Sequence, residues 1–298
     1  MLRSMTGLLF LFVLGHFFHH LLTALPVPLL PLIRNEFGLN YTQAGLAVSA
    51  FTLSYGIGQL PAGWISDRID TRIMLLIGLS GVALAGFLVG ISKGALMLCI
   101  FLALMGFLGG GYHPAAPPLI LSVVDKAKRG RALGLHMVGG SASYFIAPII
   151  AAAIASVWGW RASFLGLAVP TALFGFLFYV LLGRHGARDR SETAKERSGT
   201  EEPTAPAGQN VHLVFFLIQS VFLGAVLVSL VSFIPLYLVD THQVNEETAG
   251  ALIGLIYSAG LWAGPLAGSL SDRLGRVSMI VTVSLASGPI VFLMILVP

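Results

Sequence analysis

A succession of long apolar runs, broken only by short polar gaps, limits this chain to a membrane-spanning helical fold. About 20 mostly apolar residues cross the hydrocarbon core as helix. That ruler predicts nine spans, near 7–32, 42–66, 73–92, 95–123, 132–157, 162–183, 211–239, 248–271 and 277–297. The runs are continuous rather than alternating with period two, so helices are expected and barrel strands are not. Composition explains why no soluble fold competes. Of the 298 residues 56% are hydrophobic and 10% charged, and a water-soluble domain of this size cannot bury so much apolar surface. The single cysteine, Cys99, sits inside an apolar run, which excludes a disulfide framework and a cysteine metal site. Arg3 ahead of residues 7–14 imitates a signal peptide. The run continues past His20 to Leu32 with no small-residue cleavage site, and a retained helix is expected.

Charge orders the topology. With the N-terminus in the cytoplasm and the gaps alternating in side, only Arg34, Lys93 and Arg161 of the 17 basic residues fall outside. An excess of Lys and Arg on the cytoplasmic side is what membrane insertion favours. Basic residues confined to such gaps also argue against nucleic-acid binding. Residues 184–210 (RHGARDRSETAKERSGTEEPTAPAGQN) mix charge with small residues, Pro203 and Pro206. They carry too little apolar surface to order a backbone, so a flexible cytoplasmic linker is expected there. It separates a six-span bundle at 1–183 from three spans at 211–298.

The chain also repeats itself. Residues 63–72 (GWISDRIDTR) align with 268–276 (GSLSDRLGR) at a common offset of 205 residues. Both segments close the second span of their half, and two Asp-Arg turns at equivalent points imply a duplicated scaffold. The pattern resembles the signature loop of the major facilitator superfamily, G-x-x-x-D-R-x-G-R-[RK]. Gly268, Asp272, Arg273, Gly275 and Arg276 match it. The first copy keeps Gly63, Asp67 and Arg68, puts Asp70 where the loop glycine stands, and moves the distal basic residue to Arg72. The resemblance implies an all-α integral membrane bundle of two six-helix halves around a midplane site. It implies secondary active transport of a small solute by alternating access, with no cofactor. It further implies that nine of twelve expected helices are present, so the chain is expected to be truncated and to lack one wall of the cavity. Residues 16–46 and 106–114 (GFLGGGYHP) look closest to the fosmidomycin-resistance branch, which implies drug efflux at the inner membrane.

The signature has physics of its own. Gly63 and Gly268 permit close helix approach. Asp67 and Asp272 fall at helix C-termini, where the helix dipole disfavours an anion and a cationic or N-terminal partner is needed. Asp272 is expected near Gly130 and Arg131, and Asp125 and Arg129 are expected to pair with Arg68 or Arg72. Contacts of this kind between halves would gate the two states; a purely topological charge cluster is the plainer alternative. In the fifth span Gly134, Ser143, Ala147, Pro148, Ala151 and Ala152 fall at the spacing of the antiporter signature G(x8)G(x3)GP(x2)GG, thinned from glycine. Small residues on one stripe with a proline make a pliant, closely packed helix, though generic packing would look similar.

Polar groups at membrane depth tend to face a cavity. The candidates are His16, His19, His20, Tyr55, Gln59, Tyr112, His113, His136, Tyr144 and Gln219. His16, His19 and His20 share one helical face. Without a second ligand cluster no metal site is expected, and cavity lining or proton handling is the better reading, since histidine titrates near neutral pH. His113, beside Pro114 in a glycine-rich stretch, is the leading single candidate. Arg161 reads as an interface anchor rather than a ligand. All 13 acidic residues lie in loops or at helix ends, so proton coupling would pass through histidine, reside in further helices, or be absent. The expected partners are a small-molecule substrate, membrane lipid and protons as a candidate coupling ion. A membrane enzyme is disfavoured, because no H-E-x-x-H, G-x-S-x-G or mid-membrane aspartate pair occurs. Metabolite uptake, and a non-transporting receptor or scaffold, stand as alternatives to efflux.

Overall fold

A computed structural model describes residues 5–125, 128–184, 209–293 and 296. Among them the regular elements are all helices: α1 (Met5–Thr23), α2 (Leu30–Phe37), α3 (Tyr41–Ser66), α4 (Thr71–Gly90), α5 (Ala95–Gly109), α6 (Tyr112–Val123), α7 (Arg129–Trp158), α8 (Trp160–Arg184), α9 (Gln209–His242), α10 (Glu246–Leu274) and α11 (Arg276–Leu293). The expected linker at 184–210 lies almost wholly outside the described residues.

Two of the expected spans are broken. The first splits into α1 and α2 around Pro26 and Pro28, since proline lacks the N–H that a helix interior uses. Helix-like backbone bonds still cross the break, from Ala24 to His20, Leu29 to Leu25 and Ile33 to Leu29. The fourth splits into α5 and α6 at Gly110 and Gly111. Among the described residues five segments, Thr71–Gly90, Ala95–Val123, Arg129–Trp158, Trp160–Gly183 and Leu213–His242, are long and apolar enough to cross a bilayer.

Local chemistry sets the helix ends. Asn40 caps α3 in a reciprocal capping box with Gln43, satisfying two orphan N–H groups at once. α2 stops at Gly38 in the left-handed conformation. Asn245 caps α10, with Glu246 and Glu247 in its first turn, where the helix dipole favours anions.

Helix α7 is the shared wall, packed against α1 on one side and α10 on the other, while α4 packs on α8 and α3 on α5. These approaches are backbone-close. A Cβ on Gly106 of α5 would stand 2.2 Å from the Phe51 carbonyl oxygen of α3, and one on Gly139 of α7 would stand 2.1 Å from that of Val13. Along α10, Gly250 meets Pro28, Gly254 meets Phe145 and Ile149, and Gly260 meets Ser141, so α10 runs antiparallel to α7. Its C-terminal end therefore lies beside the start of α7. The α6 terminus, and with it the α3 terminus, reaches the same end. The two Asp-Arg turns accordingly share one end of the bundle, hereafter the turn end.

Two apolar clusters fill α1–α8, one around Leu22, Leu25, Phe51 and Phe164 and one around Phe12, Leu79, Tyr112 and Phe178. A third joins Leu30, Ala44 and Val48 to Leu236 of α9. Elsewhere large apolar side chains face outward, among them Leu60, Leu96 and Leu173, as a lipid-facing surface requires.

Gly106→Ala is expected to destabilise the protein by about 1–3 kcal/mol, because the crowding falls on backbone that cannot swing away. Gly56→Ala, with open space around it, should be neutral or slightly stabilising. Thermal melting of the two variants in detergent checks the contrast.

Candidate functional site

The helical spacing of His16, His19 and His20 aims all three rings from α1 into one buried cluster, where α3, α6 and α7 each contribute. His16, His19 and His20 are 1%, 0% and 6% exposed, and His136 and Tyr112 are equally buried. His16 Nδ1 lies 2.8 Å from the His136 carbonyl oxygen of α7, so that nitrogen is the donor. Its Nε2 stands 3.1 Å from His20 Nε2. His20 Nδ1 is 2.9 Å from Thr23 Oγ1, and the Thr23 hydroxyl donates to the His19 carbonyl at 3.2 Å. His19 Nε2 meets the Tyr55 hydroxyl at 2.8 Å. The rings pile on one another, with His136 stacked on His16 at 4.2 Å and Tyr112 on His19 at 4.5 Å. His113 stands edge-on to His16 at 5.3 Å between centroids.

The cluster has a closed interior and an open rim. Tyr55, His113 and Tyr144 are half-buried. Tyr144 packs on His20 at 4.6 Å and on Tyr257 of α10 at 4.9 Å, so the rim meets the C-terminal helices. Gln59 is also half-buried, one turn beyond Tyr55. Gln219 is exposed on α9, remote from these contacts. On α7, Ser143, Ala147, Pro148, Ala151 and Ala152 are buried, with Ser143 Oγ unpartnered, whereas Gly134 faces open space.

At the turn end the pairing differs from expectation. Asp67 caps α3. Arg68 stacks over Trp64 at 3.9 Å and donates to the Trp64 carbonyl at 2.9 Å, neutralising the C-terminal dipole of α3 within its own helix. Arg72 is held by Asp70 through paired hydrogen bonds. Asp125 pairs with Lys128 at 3.8 Å, and Arg129 donates to the Val124 carbonyl at 3.5 Å. Near neighbours in sequence thus capture Arg68, Arg72, Asp125 and Arg129, which were expected to pair with one another across helices. The Arg72 guanidinium holds the Asp70 carboxyl below its usual range, so this pairing persists above the ordinary carboxylate range and weakens as pH falls through the lowered value. Arg273 is exposed in the last turn of α10. The surroundings of Gly268 and of the Asp272 and Arg276 side chains lie outside what the structure describes.

The opposite end carries contacts that sequence reading missed. Arg34 of α2 pairs with Asp240 of α9, which also accepts from the Tyr41 hydroxyl. Asn35 donates to Glu246 of α10 at 2.8 Å. Lone Arg and Asp residues beside span ends were the available signal. Thr23, three residues past His20, and Tyr257, interrupting an apolar run, were also missed. Arg161 reaches Glu36 and the Ser92 carbonyl, tying α8 to α2 and to the gap before α5.

Residues 12–298 match the family profile of the Major Facilitator Superfamily. The chain belongs to this superfamily. It is 27% identical over 256 residues to the probable sulfoacetate transporter SauU of Cupriavidus necator, covering 82% of this chain and 59% of the relative. It is 27% identical over 284 residues to the multidrug resistance protein MdtG of Klebsiella pneumoniae, covering 92% and 68%. The hexuronate transporter of Bacillus subtilis is 25% identical over 274 residues, covering 89% and 64%. The chain therefore spans roughly two thirds or less of these relatives' lengths. Its fold is similar to an inward-facing, unoccupied bacterial homolog of the human lysosomal transporter Spinster. The TM-score is 0.67 at 17% identity, covering 91% of this chain and 62% of that one. Members of this superfamily are multi-pass membrane transporters rather than enzymes.

Tyr55→Phe removes only the hydroxyl that His19 Nε2 bonds. A buried polar atom left without its partner costs about 1–3 kcal/mol, so a clear fall in melting temperature is expected; an unchanged melt would contradict the role of the hydroxyl as His19's buried partner.

Proposed function

We propose that this transporter exports a small solute by alternating access in exchange for protons, from an inner membrane in which its N-terminus is cytoplasmic. The observation that carries the reading is the half-buried rim of His113, Tyr55 and Tyr144 meeting Tyr257 across α7 and α10. A solute seated there touches both parts of the chain, so its binding energy differs between states in which those parts are apart or together. The antiporter-like stripe on α7 and the drug-resistance name of the MdtG relatives support export. The basic residues gathered at the turn end support a cytoplasmic position for that end. We take 1–183 as one bundle, 184–210 as the connecting linker and 211–298 as part of a second bundle, with the Asp-Arg turns as the gating corners. Membrane lipid covers the outward apolar surface.

A second reading is favoured by particular relatives. The sulfoacetate and hexuronate transporters carry small organic acids, and a cavity rim of histidine and tyrosine with no carboxylate suits an anion as well as a neutral drug. One experiment separates the two. A susceptible strain expressing the gene is grown across a panel of toxic compounds, and uptake of labelled organic acids is measured in parallel. Export predicts a several-fold rise in tolerance to at least one compound. Tolerance to none, with accumulation of a labelled acid, would replace export by uptake.

A further inference from the structure

We infer that His16 and His20 share a proton between their Nε2 atoms, and that this pair is the proton-binding site of the transporter, released when α7 moves against α1. The inference rests on the proton-exchange reading above and assigns it to two atoms.

Tautomers make the case. The His136 carbonyl can only accept, so His16 Nδ1 carries a hydrogen. The Thr23 hydroxyl spends its hydrogen on the His19 carbonyl, so Thr23 Oγ1 accepts from His20 Nδ1. A neutral imidazole has one N–H. With both Nδ1 atoms protonated, both Nε2 atoms present lone pairs, and they face each other at 3.1 Å inside a buried cluster. Two lone pairs at that distance repel. One added proton turns the contact into a charge-assisted N–H···N bond. Chemically the step is simple: an N–H bond forms at one Nε2, the other Nε2 accepts, and on release the proton returns to water.

A metal ion fits these nitrogens less well. Two imidazole nitrogens on tetrahedral zinc stand about 3.3–3.4 Å apart, given bonds of about 2.0–2.1 Å. The ring nitrogens of His16, His20 and His113 are spread over as much as 4.8 Å, and among the described residues no thiolate or carboxylate joins them to offset a double charge in a dry site. The groups facing the pair are His19 on α1, Tyr112 and His113 on α6, and His136 and Tyr144 on α7, with Tyr55 of α3 behind His19 and His113. All are imidazole or phenol rings. His136 Nε2 is buried without a partner, a spare acceptor beside the pair, and half-buried His113 links the pair to the rim.

The two anchors differ, which supplies the coupling. His20 is held by Thr23 on its own helix, whereas His16 is held by the backbone of α7. The same stretch of α7 packs Gly140 on His16 and Ser141 on Gly260 of α10. Motion of α10 against the rest thus pulls on the His16 anchor and leaves the His20 anchor in place, opening the 3.1 Å contact.

The test is magic-angle-spinning NMR of the chain in lipid nanodiscs with nitrogen-15 histidine, recorded between about pH 5 and 8. The expected spectrum has protonated Nδ1 atoms on both rings and one strongly deshielded proton correlated with both Nε2 atoms. That correlation should vanish in His16→Gln, vanish or lose most of its intensity in the milder Thr23→Val, and persist in His242→Gln. A His20 ring protonated at Nε2 and bare at Nδ1 at every pH would overturn the proposal, because Thr23 would then be the donor to a neutral pair. Loss of the shared proton on adding one equivalent of Zn2+, with coordination shifts at both Nε2 atoms, would overturn it in favour of a metal site. These outcomes are independent of the tolerance panel, so failure of the export reading and failure of the proton pair are told apart.

Discussion

Everything in this fold depends on how closely α7 can approach two partners at once. At Gly139 the α7 backbone comes so near Val13 of α1 that no side chain fits between, and on its other face Phe145 and Ile149 meet Gly254 of α10. In a bilayer the lipid tails are as apolar as the helices, so association rests on such dispersion contacts rather than on exclusion of water. One helix therefore carries most of the contact between the N-terminal and C-terminal parts and, one turn away, the backbone carbonyl that fixes His16. Packing and polar chemistry are mechanically joined there.

The polar interior follows from the same constraint. No water in the hydrocarbon core can satisfy a stray N–H, so each buried histidine must find a protein partner. His16 uses the His136 carbonyl, His19 the Tyr55 hydroxyl, His20 the Thr23 hydroxyl and His136 the Phe12 carbonyl. The pairings draw on α1, α3 and α7 and tie their relative positions together. At the two ends of the bundle, charges are handled differently. At the turn end Arg68 is satisfied on Trp64 and Arg72 on Asp70, each by a near neighbour in sequence. The opposite end spends Arg34, Tyr41 and Asn35 on residues of α9 and α10. Among the described residues, polar contacts between the N-terminal and C-terminal parts thus gather at the end away from the Asp-Arg turns.

Much of this was legible in the sequence because the signals are local. Span length and continuous apolarity predict membrane helices, and the Asp-Arg repeat led to the superfamily. What was not legible depends on three-dimensional register. The spacing of His16, His19 and His20 gives a shared face, but nothing local says that His113 and His136, about a hundred residues on, end beside it. The same holds for Arg34 and Asp240. In the other direction, local chemistry overrode an expected long-range pairing. Asp70 stands where the repeat has Gly275, and a carboxylate two residues before Arg72 both caps α4 and captures the guanidinium, leaving Asp125 to Lys128. Breaks at Pro26, Pro28 and Gly110 divided runs that hydropathy alone treats as continuous.

The claim that the two parts of the chain separate at the end they now close can be measured directly. Spin labels replace Asn35 and Glu246, which are joined by a 2.8 Å hydrogen bond, and the inter-label distance is read in lipid nanodiscs by pulsed electron resonance as pH is varied. The account predicts a short and a long population whose proportions change with proton concentration. A single short distance, unmoved across the range, would contradict it.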